Sequence, residues 1–258
     1  MLVTINPAPL DSPLLPSYLP KELVLKVYDR RFAIGLREEY YLQPRTYDTE
    51  GLYRQYVDSR RAPKDYFAVR DEIDTFGHPT ACPPELLEHL VTTKIDPYFA
   101  SECAAYRCLQ ILQGRDIPKF YGSVQFLDGA DVLGLNLSVP GILLEPIVGV
   151  SLDIINPASF DIQQVIGNVL HIVDTCGDLG LVNYDVQLGN FIVKADGSVV
   201  MIDFAQSRLR KPDESDLEWK RTKWRQDEWG CVGCAAHRKF GLPYVRSFKY
   251  LPPSDDEN

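Results

Sequence analysis

Positive charge is what this chain has too little of to hold nucleic acid. Across 258 residues, 27 Lys and Arg face 36 Asp and Glu, a net charge of -9, whereas a surface that tracks phosphates needs the opposite sign. No uninterrupted apolar run reaches the length that spans a bilayer, so no membrane partner is expected. The opening MLVTINPAPLDSPLLPSYLP carries no basic stretch and is broken by proline, which is not the pattern of a secretory leader. A cytoplasmic or nuclear setting is therefore expected, and there the six scattered cysteines read as free thiols. Cys231, Cys234 and His237 in CVGCAAH form a single C-x-x-C. Without a second pair this is a weak zinc signal, and small residues on a packed helix account for it. Glycine is missing altogether ahead of Lys26.

What is present is an ordinary globular composition, 45% apolar and 24% charged, long enough for one two-lobed domain or two small ones. After a proline-rich start, KELVLKVYD (21–29) reads as a strand built around one cation, Lys26, facing either water at a sheet edge or inward. Residues 31–95, rich in Tyr and Arg and interrupted by GHPTACPP, read as a partly helical insertion whose scattered charges form a solvated surface. Asp96 and Pro97 then suit the start of a helix. Its apolar positions Ala105, Cys108, Leu109 and Leu112 recur at helical spacing, and Gly114 ends it. Glu102 falls on the buried side of that helix, where a carboxylate needs a partner.

Beyond residue 119, KFYGSVQFL, VLGLNLSV and GILLEPI read as three strands separated by DGAD and a Pro140-Gly141 turn. Ile162, Val165, Ile166, Val169, Leu170 and Val173 make one face of a helix that Gly177 and Gly180 end. FIV and SVVMIDF flank Ala195-Asp196-Gly197 as a hairpin. Around that hairpin stand Asp185, Asn190 and Asp203, polar groups beside a core that either form turns or find a partner in a metal or a reacting hydroxyl.

A lysine in a strand, an acid on the following helix, D-x-x-x-x-N in a loop and a hairpin ending in Asp-Phe together resemble the protein kinase-like superfamily. VLKVYDRRF, SECAAYRCLQILQGRDIPKFYG, GILLEPIVG and VNYDVQLGNFIV resemble divergent fungal kinase-like proteins within it. The likeness runs from about Leu23 to the Asp203 hairpin, the insertion excepted. It implies an α+β, two-lobed fold. Residues 1–148 would form the N-lobe, a small antiparallel sheet with one key helix and the 31–95 insertion. Residues 149–258 would form a shortened, mainly helical C-lobe. It also implies ATP and Mg²⁺ as cofactors. Lys26 would hold the α- and β-phosphates and Glu102 would fix its ammonium. Asn190 and Asp203 would bind the metal, Asp185 would orient the attacking hydroxyl and accept its proton, and the backbone of Glu145, Pro146 and Ile147 would face the adenine.

Several positions depart from the family pattern. The glycine-rich loop that covers the phosphates has no counterpart ahead of Lys26, although Met1–Ile5 reads as a strand whose first partner is missing. Asn183-Tyr184 stands where the family has His-Arg, so an activating phosphate has no dock. Gln187 replaces a lysine, and Ala205 replaces the glycine of Asp-Phe-Gly. Asp227, in QDEWGCVGCAAH, either braces the catalytic loop from beneath or caps its own helix. Residues 207–225 carry seven basic and four acidic residues and read as a solvated charged face. Three functions follow as alternatives. The first is an ATP·Mg²⁺-dependent phosphotransferase acting on a Ser/Thr hydroxyl of a protein. The second is a pseudokinase scaffold, and the third a small-molecule kinase of the aminoglycoside or choline type.

Overall fold

The computed structural model describes residues 2–4, 19–43, 46–63, 65–126 and 139–252. The chain is α+β. Its strands are β1 (Leu2–Thr4), β2 (Glu22–Val27), β3 (Phe120–Phe126), β4 (Val139–Leu144), β5 (Val150–Ser151), β6 (Leu181–Asn183), β7 (Phe191–Val193), β8 (Val199–Met201) and β9 (Ser207–Leu209). Its helices are α1 (Ile34–Glu39), α2 (Tyr47–Asp58), α3 (Tyr66–Asp74), α4 (Pro84–Cys108), α5 (Ile162–Asp178), α6 (Asp216–Gln226) and α7 (Glu228–Phe240). They divide into two compact units. One comprises Met1–Val24, Ser101–Gly122 and Leu143–Asn258, the other Leu25–Ala100 and Ser123–Ile142.

Strand β4 lies between β2 and β3, and all three have residues in the second unit. The expected Pro140-Gly141 turn is part of β4 instead: Tyr28 donates its N–H to Pro140 C=O at 2.9 Å. Gly141 is needed there, because a Cβ would stand 3.0 Å from Lys26 C=O and 3.2 Å from Val124. The expected strand VLGLNLSV, apart from Val139, falls outside the described residues.

The same unit has a core of Val69, Ile73, Cys82, Leu86, Leu87 and Leu90 from α3, α4 and the turn between them. Thr46 caps α2 with a reciprocal bond to Thr49, and Asp65 caps α3. Most charges of residues 31–95 are exposed, as the sequence led one to expect, but Arg37, Glu50 and Glu88 are buried in a cluster with Arg30, which stands just outside the segment. Arg30 donates to Glu50 at 2.7 Å and to Glu88 at 2.5 Å, Arg37 donates to Glu88 at 2.9 Å, and all four side chains are at most 10% exposed. The Arg30 guanidinium also lies 4.0 Å from the centroid of the Tyr53 ring. Burial alone would lower Arg30's pKa, but the Glu50 hydrogen bond and the Glu50 and Glu88 charges raise it.

The long helix α4 starts at Pro84, not at Asp96, and holds Pro97 in its interior. Local signals mislead here. Proline forfeits one backbone donor inside a helix, yet the apolar positions Leu86, Leu87, Leu90, Val91 and Ile95 are all buried, and packing outweighs that loss.

In the first unit β1 pairs antiparallel with β2, Leu2 opposite Val24. Helix α5, capped by Asp161, buries Val165, Ile166, Val169, Ile172, Val173 and Cys176 as its periodicity requires. It packs against β6, β8 and α7. The β7–β8 hairpin forms where expected, with Phe191 opposite Met201 and Val193 opposite Val199, and β5 extends it on the β7 side. Gly149 makes that approach possible: a Cβ would lie 2.5 Å from Val193 C=O.

Candidate functional site

A second, short ladder holds the polar loop. Strand β6 pairs antiparallel with β9, Val182 opposite Arg208 and Asn183 opposite Ser207. It continues as Tyr184 N–H donates to Gln206 C=O at 2.8 Å. The stretch 183–190 is thereby held against the turn 203–206.

Within this frame the three expected site residues, Asp185, Asn190 and Asp203, are brought together by one chain of hydrogen bonds. Asn190 Nδ2 donates to Asp185 C=O at 2.9 Å, and Asp185 N–H donates to Asn183 Oδ1 at 2.9 Å. Asn183 Nδ2 in turn donates to Asp203 C=O at 3.1 Å. Ile202 N–H donates to Asn190 C=O at 2.8 Å, so Asp203 follows directly on a residue bonded to Asn190. Asn183 and Asn190 are buried and Asp185 half-buried. Because the Asn190 amino group is committed to Asp185, its Oδ1 is the atom left to meet a cation.

Asp203 itself has φ of 64°, in the left-handed region. A non-glycine residue there stores strain, which Asp tolerates better than most and which concentrates at functional turns. Asp203 Oδ1 accepts from Ala205 N–H at 3.2 Å and closes the turn. Among the described residues, only Tyr41, Arg60, Asp203 and Asp227 are non-glycine residues with positive φ. Ala205 is not one of them, so glycine's freedom is not required at that position.

The donor set suits magnesium. The Asp203 carboxylate and Asn190 Oδ1 are hard oxygens, and Mg²⁺ characteristically takes one or two such protein ligands, completing its shell with water and phosphate. Among the described residues no group of three His, Cys, Asp or Glu side chains forms a closed metal cage.

Glu102 is fully buried on α4. One turn on, Tyr106 is buried as well, and its ring stacks on Phe120 (5.5 Å between centroids) and meets Phe204 edge-on (5.3 Å). Burial first, then the negative charges of Glu102 and Asp203, push the Tyr106 phenol well above its ordinary pKa. Tyr106 therefore joins the acid of α4 to the Asp203 turn. Sequence reading passed over it, although its place four residues after Glu102 puts it on the same helical face.

Lys26 lies on β2 in the other unit. It is half-buried, and its ammonium is 5.5 Å from the centroid of the Tyr28 ring. Glu145, Pro146 and Ile147 are half-buried after β4. Glu145 is pinned on both sides: its N–H donates to Lys119 C=O at 2.9 Å and its Oε2 accepts from Lys119 N–H at 3.0 Å. Gln187, in the lysine position of the family pattern, donates to Asp185 Oδ2 at 3.3 Å.

The brace beneath the loop is Glu228, not Asp227. Asp227, with φ of 45°, caps α7 through Gly230 N–H at 3.1 Å. Glu228 accepts the buried Asn183 N–H at 2.8 Å and forms a buried ion pair with Lys223. Burial pushes the Glu228 carboxyl up, against the opposing pull of Lys223 and the Asn183 N–H. Lys223 belongs to the stretch 207–225 that reads as solvated, yet it is 3% exposed. Arg208 of the same stretch makes a two-pronged bond to Glu214 at 2.7 and 3.0 Å and donates to the Tyr184 hydroxyl at 3.3 Å. The helix expected over CVGCAAH is α7, on which Cys231 and Cys234 are exposed.

No protein-family model matches the chain, and no curated protein sequence does. Among solved structures, a complex of WbdD with the kinase inhibitor LY294002 aligns at 18% identity and a TM-score of 0.41. It covers 59% of this chain and 30% of that one. A divergent kinase that lacks the glycine-rich loop and regulates membrane ultrastructure of the Toxoplasma parasitophorous vacuole aligns at 18% identity and a TM-score of 0.35. It covers 52% of this chain and 45% of that one. The chain thus spans less than half of either relative, and the reading of its site rests on its own residues.

Proposed function

We propose that the chain is an ATP·Mg²⁺-dependent, kinase-like phosphotransferase that passes the γ-phosphate to a Ser/Thr hydroxyl of a protein. The observation that supports it is the hydrogen-bonded run Asn190–Asp185–Asn183–Asp203, which gathers one candidate base and two oxygen ligands on a loop and hairpin braced by Glu228. Phosphoryl transfer asks little covalent work of a protein; positioning and charge neutralisation supply most of the rate.

In this reading Asp185 orients the attacking hydroxyl and takes its proton. Asn190 and Asp203 hold the metal, which would neutralise phosphate charge. The half-buried backbone at Glu145–Ile147 meets the adenine, Glu145's own N–H being committed to Lys119. Lys26 serves the α- and β-phosphates and Glu102 its ammonium; their places on β2 and α4 and the family resemblance support these two roles.

A scaffold reading, in which the fold is kept but transfer is slow or absent, is favoured by two features. No glycine stands ahead of Lys26, and Gln187 engages Asp185 where a cation would serve the transferring phosphate. Each charge-assisted phosphate bond lost with a glycine loop costs about 1.5–3 kcal/mol. A transferase acting on a small molecule would show in substrate choice alone.

Thermal-shift titration with Mg·ATP separates the readings. A flat response removes both enzyme readings. Where nucleotide binds, γ-phosphate transfer by the native chain should exceed that of Asp185→Ala by about 10²–10⁴-fold. Equal rates leave the scaffold.

A further inference from the structure

Away from the Asp185 loop, the first unit carries a groove of about 300 Å³ that phosphotransfer does not use. Its walls come from three places: the turn Gly114–Asp116, helix α5, and the tip of the β7–β8 hairpin. Strands of three residues at ~3.3 Å each set that tip roughly 10 Å from the hairpin end that carries Asn190 and Asp203. None of the residues gathered around Asp185 lines it.

The lining carries one net positive charge in a chain whose net charge is -9. Arg115, His171 and Lys194 line it, with Asn168 adding polar hydrogens, while the Ser198 hydroxyl donates to Asp196. The one acid, Asp116, is already matched: Arg115 Nε and Nη2 donate to its Oδ2 at 2.8 and 2.6 Å. Asn168 Nδ2 spends a single long bond, 3.4 Å, on Gly197 C=O. Buried Ile172 and Val199 give the groove an apolar floor. Its wall is tied to the hairpin, because Met201 N–H donates to Asp116 C=O at 2.8 Å.

We propose that this groove binds a small phosphorylated anion. Lys194, the His171 imidazole, the Asn168 amide and the Arg115 N–H groups that Asp116 leaves open match the several acceptor oxygens of a phosphate group. The volume lies at the small end of ligand sites, which suits a compact phosphate or diphosphate and not an extended chain. This goes beyond phosphotransfer and stands whether or not that reading holds.

The test is calorimetric titration of the full chain with inorganic phosphate and with pyrophosphate, at constant ionic strength and with EDTA present. One site is expected, with pyrophosphate the tighter ligand. The double variant Arg115→Ala/Lys194→Ala should bind at least about tenfold more weakly, ~1.4 kcal/mol. Its melting temperature without ligand should stay unchanged, since both side chains are at least partly solvent-facing. Lys194→Gln alone, on the hairpin tip, gives a second reading should the double variant fold poorly. Undiminished pyrophosphate binding in the variants would place the anion elsewhere and overturn the proposal. So would heats no larger than those of chloride at equal ionic strength.

Discussion

The polar-loop region, residues 181–206, and the helical region, residues 30–95, both bury polar groups, and they do so in opposite ways. The loop satisfies Asn183, Asp185 and Asn190 mostly with main-chain atoms only two to five residues away, plus longer ties to Asp203 and Glu228. The helical region buries two guanidinium groups and two carboxylates that satisfy one another across 20, 51 and 58 residues of sequence. In the proposed function, the first arrangement aims side chains at something outside the protein. The second neutralises itself. A buried charge is therefore no mark of function by itself; the direction of its satisfied bonds decides.

The sharpest way to break this contrast is Glu88→Ala. It leaves Arg30 and Arg37 buried without the carboxylate they share, and removing one partner of a buried pair typically costs about 3–5 kcal/mol. Urea unfolding should show that loss, while transfer activity per folded molecule stays at the native level. A stable Glu88→Ala protein would mean that water reaches the cluster.

Tyr106 sharpens the comparison from the other side. Tyr106→Ala removes a fully buried ring from between Phe120 and Phe204 and should cost about 3–5 kcal/mol. It should also loosen the Asp203 turn, so activity falls further than stability. Tyr106→Phe keeps both ring contacts. Because the buried hydroxyl has no hydrogen-bond partner among the described residues, this change should lie within about 1 kcal/mol of native. Equal losses in the two variants would mean that the hydroxyl, not the ring, is what matters.

Much of the loop was legible in sequence because its partners are local. D-x-x-x-x-N, the strand FIV and the Asp-Phe turn lie within twenty residues, and α5 announced itself by period. What was illegible depended on distant partners or on one residue's rotation. Asp227 and Glu228 are neighbours of like charge, and helix geometry turns successive side chains about 100° apart. The first caps its own helix and the second reaches Asn183. No spacing rule separates them before the direction of α7 is known. The β6–β9 ladder has strands of three residues, too short for an alternating pattern. Helix α4 hid its start because Asp96 and Pro97 imitate a cap inside a helix that begins twelve residues earlier.

Glu228→Gln tests that brace. Glutamine can still accept the Asn183 N–H, but it no longer neutralises Lys223, and a charge-assisted bond of this kind is worth about 1.5–3 kcal/mol. Stability should drop by that amount with activity largely kept. Glu228→Leu should lose both. Unchanged activity in the leucine variant would show that Asn183 holds the loop without help from α7.

The smallest expected effect belongs to Arg208 and Glu214, which lie between the two extremes: an ion pair partly open to water, beside the polar loop. The Arg208 hydrogen bonds hold the Glu214 carboxyl down at about 2, against an ordinary value of 4.5. A carboxylate depressed in the folded state adds stability that is complete above its unfolded value and disappears as pH falls through the folded one. The window is therefore from about 4.5 down to about 2. Urea midpoints taken at pH 7, 4.5 and 3 should fall more steeply for the native chain than for Glu214→Gln, with the two profiles parallel above 4.5. Partial exposure keeps the pair's net worth near 1 kcal/mol or less, so at neutral pH the substitution should barely move the midpoint. Parallel profiles throughout would show that the pair orients the segment after Asp203 without stabilising it. A carboxylate whose partner is partly open to water would then resemble the loop's directed bonds more than the self-neutralised cluster around Glu88.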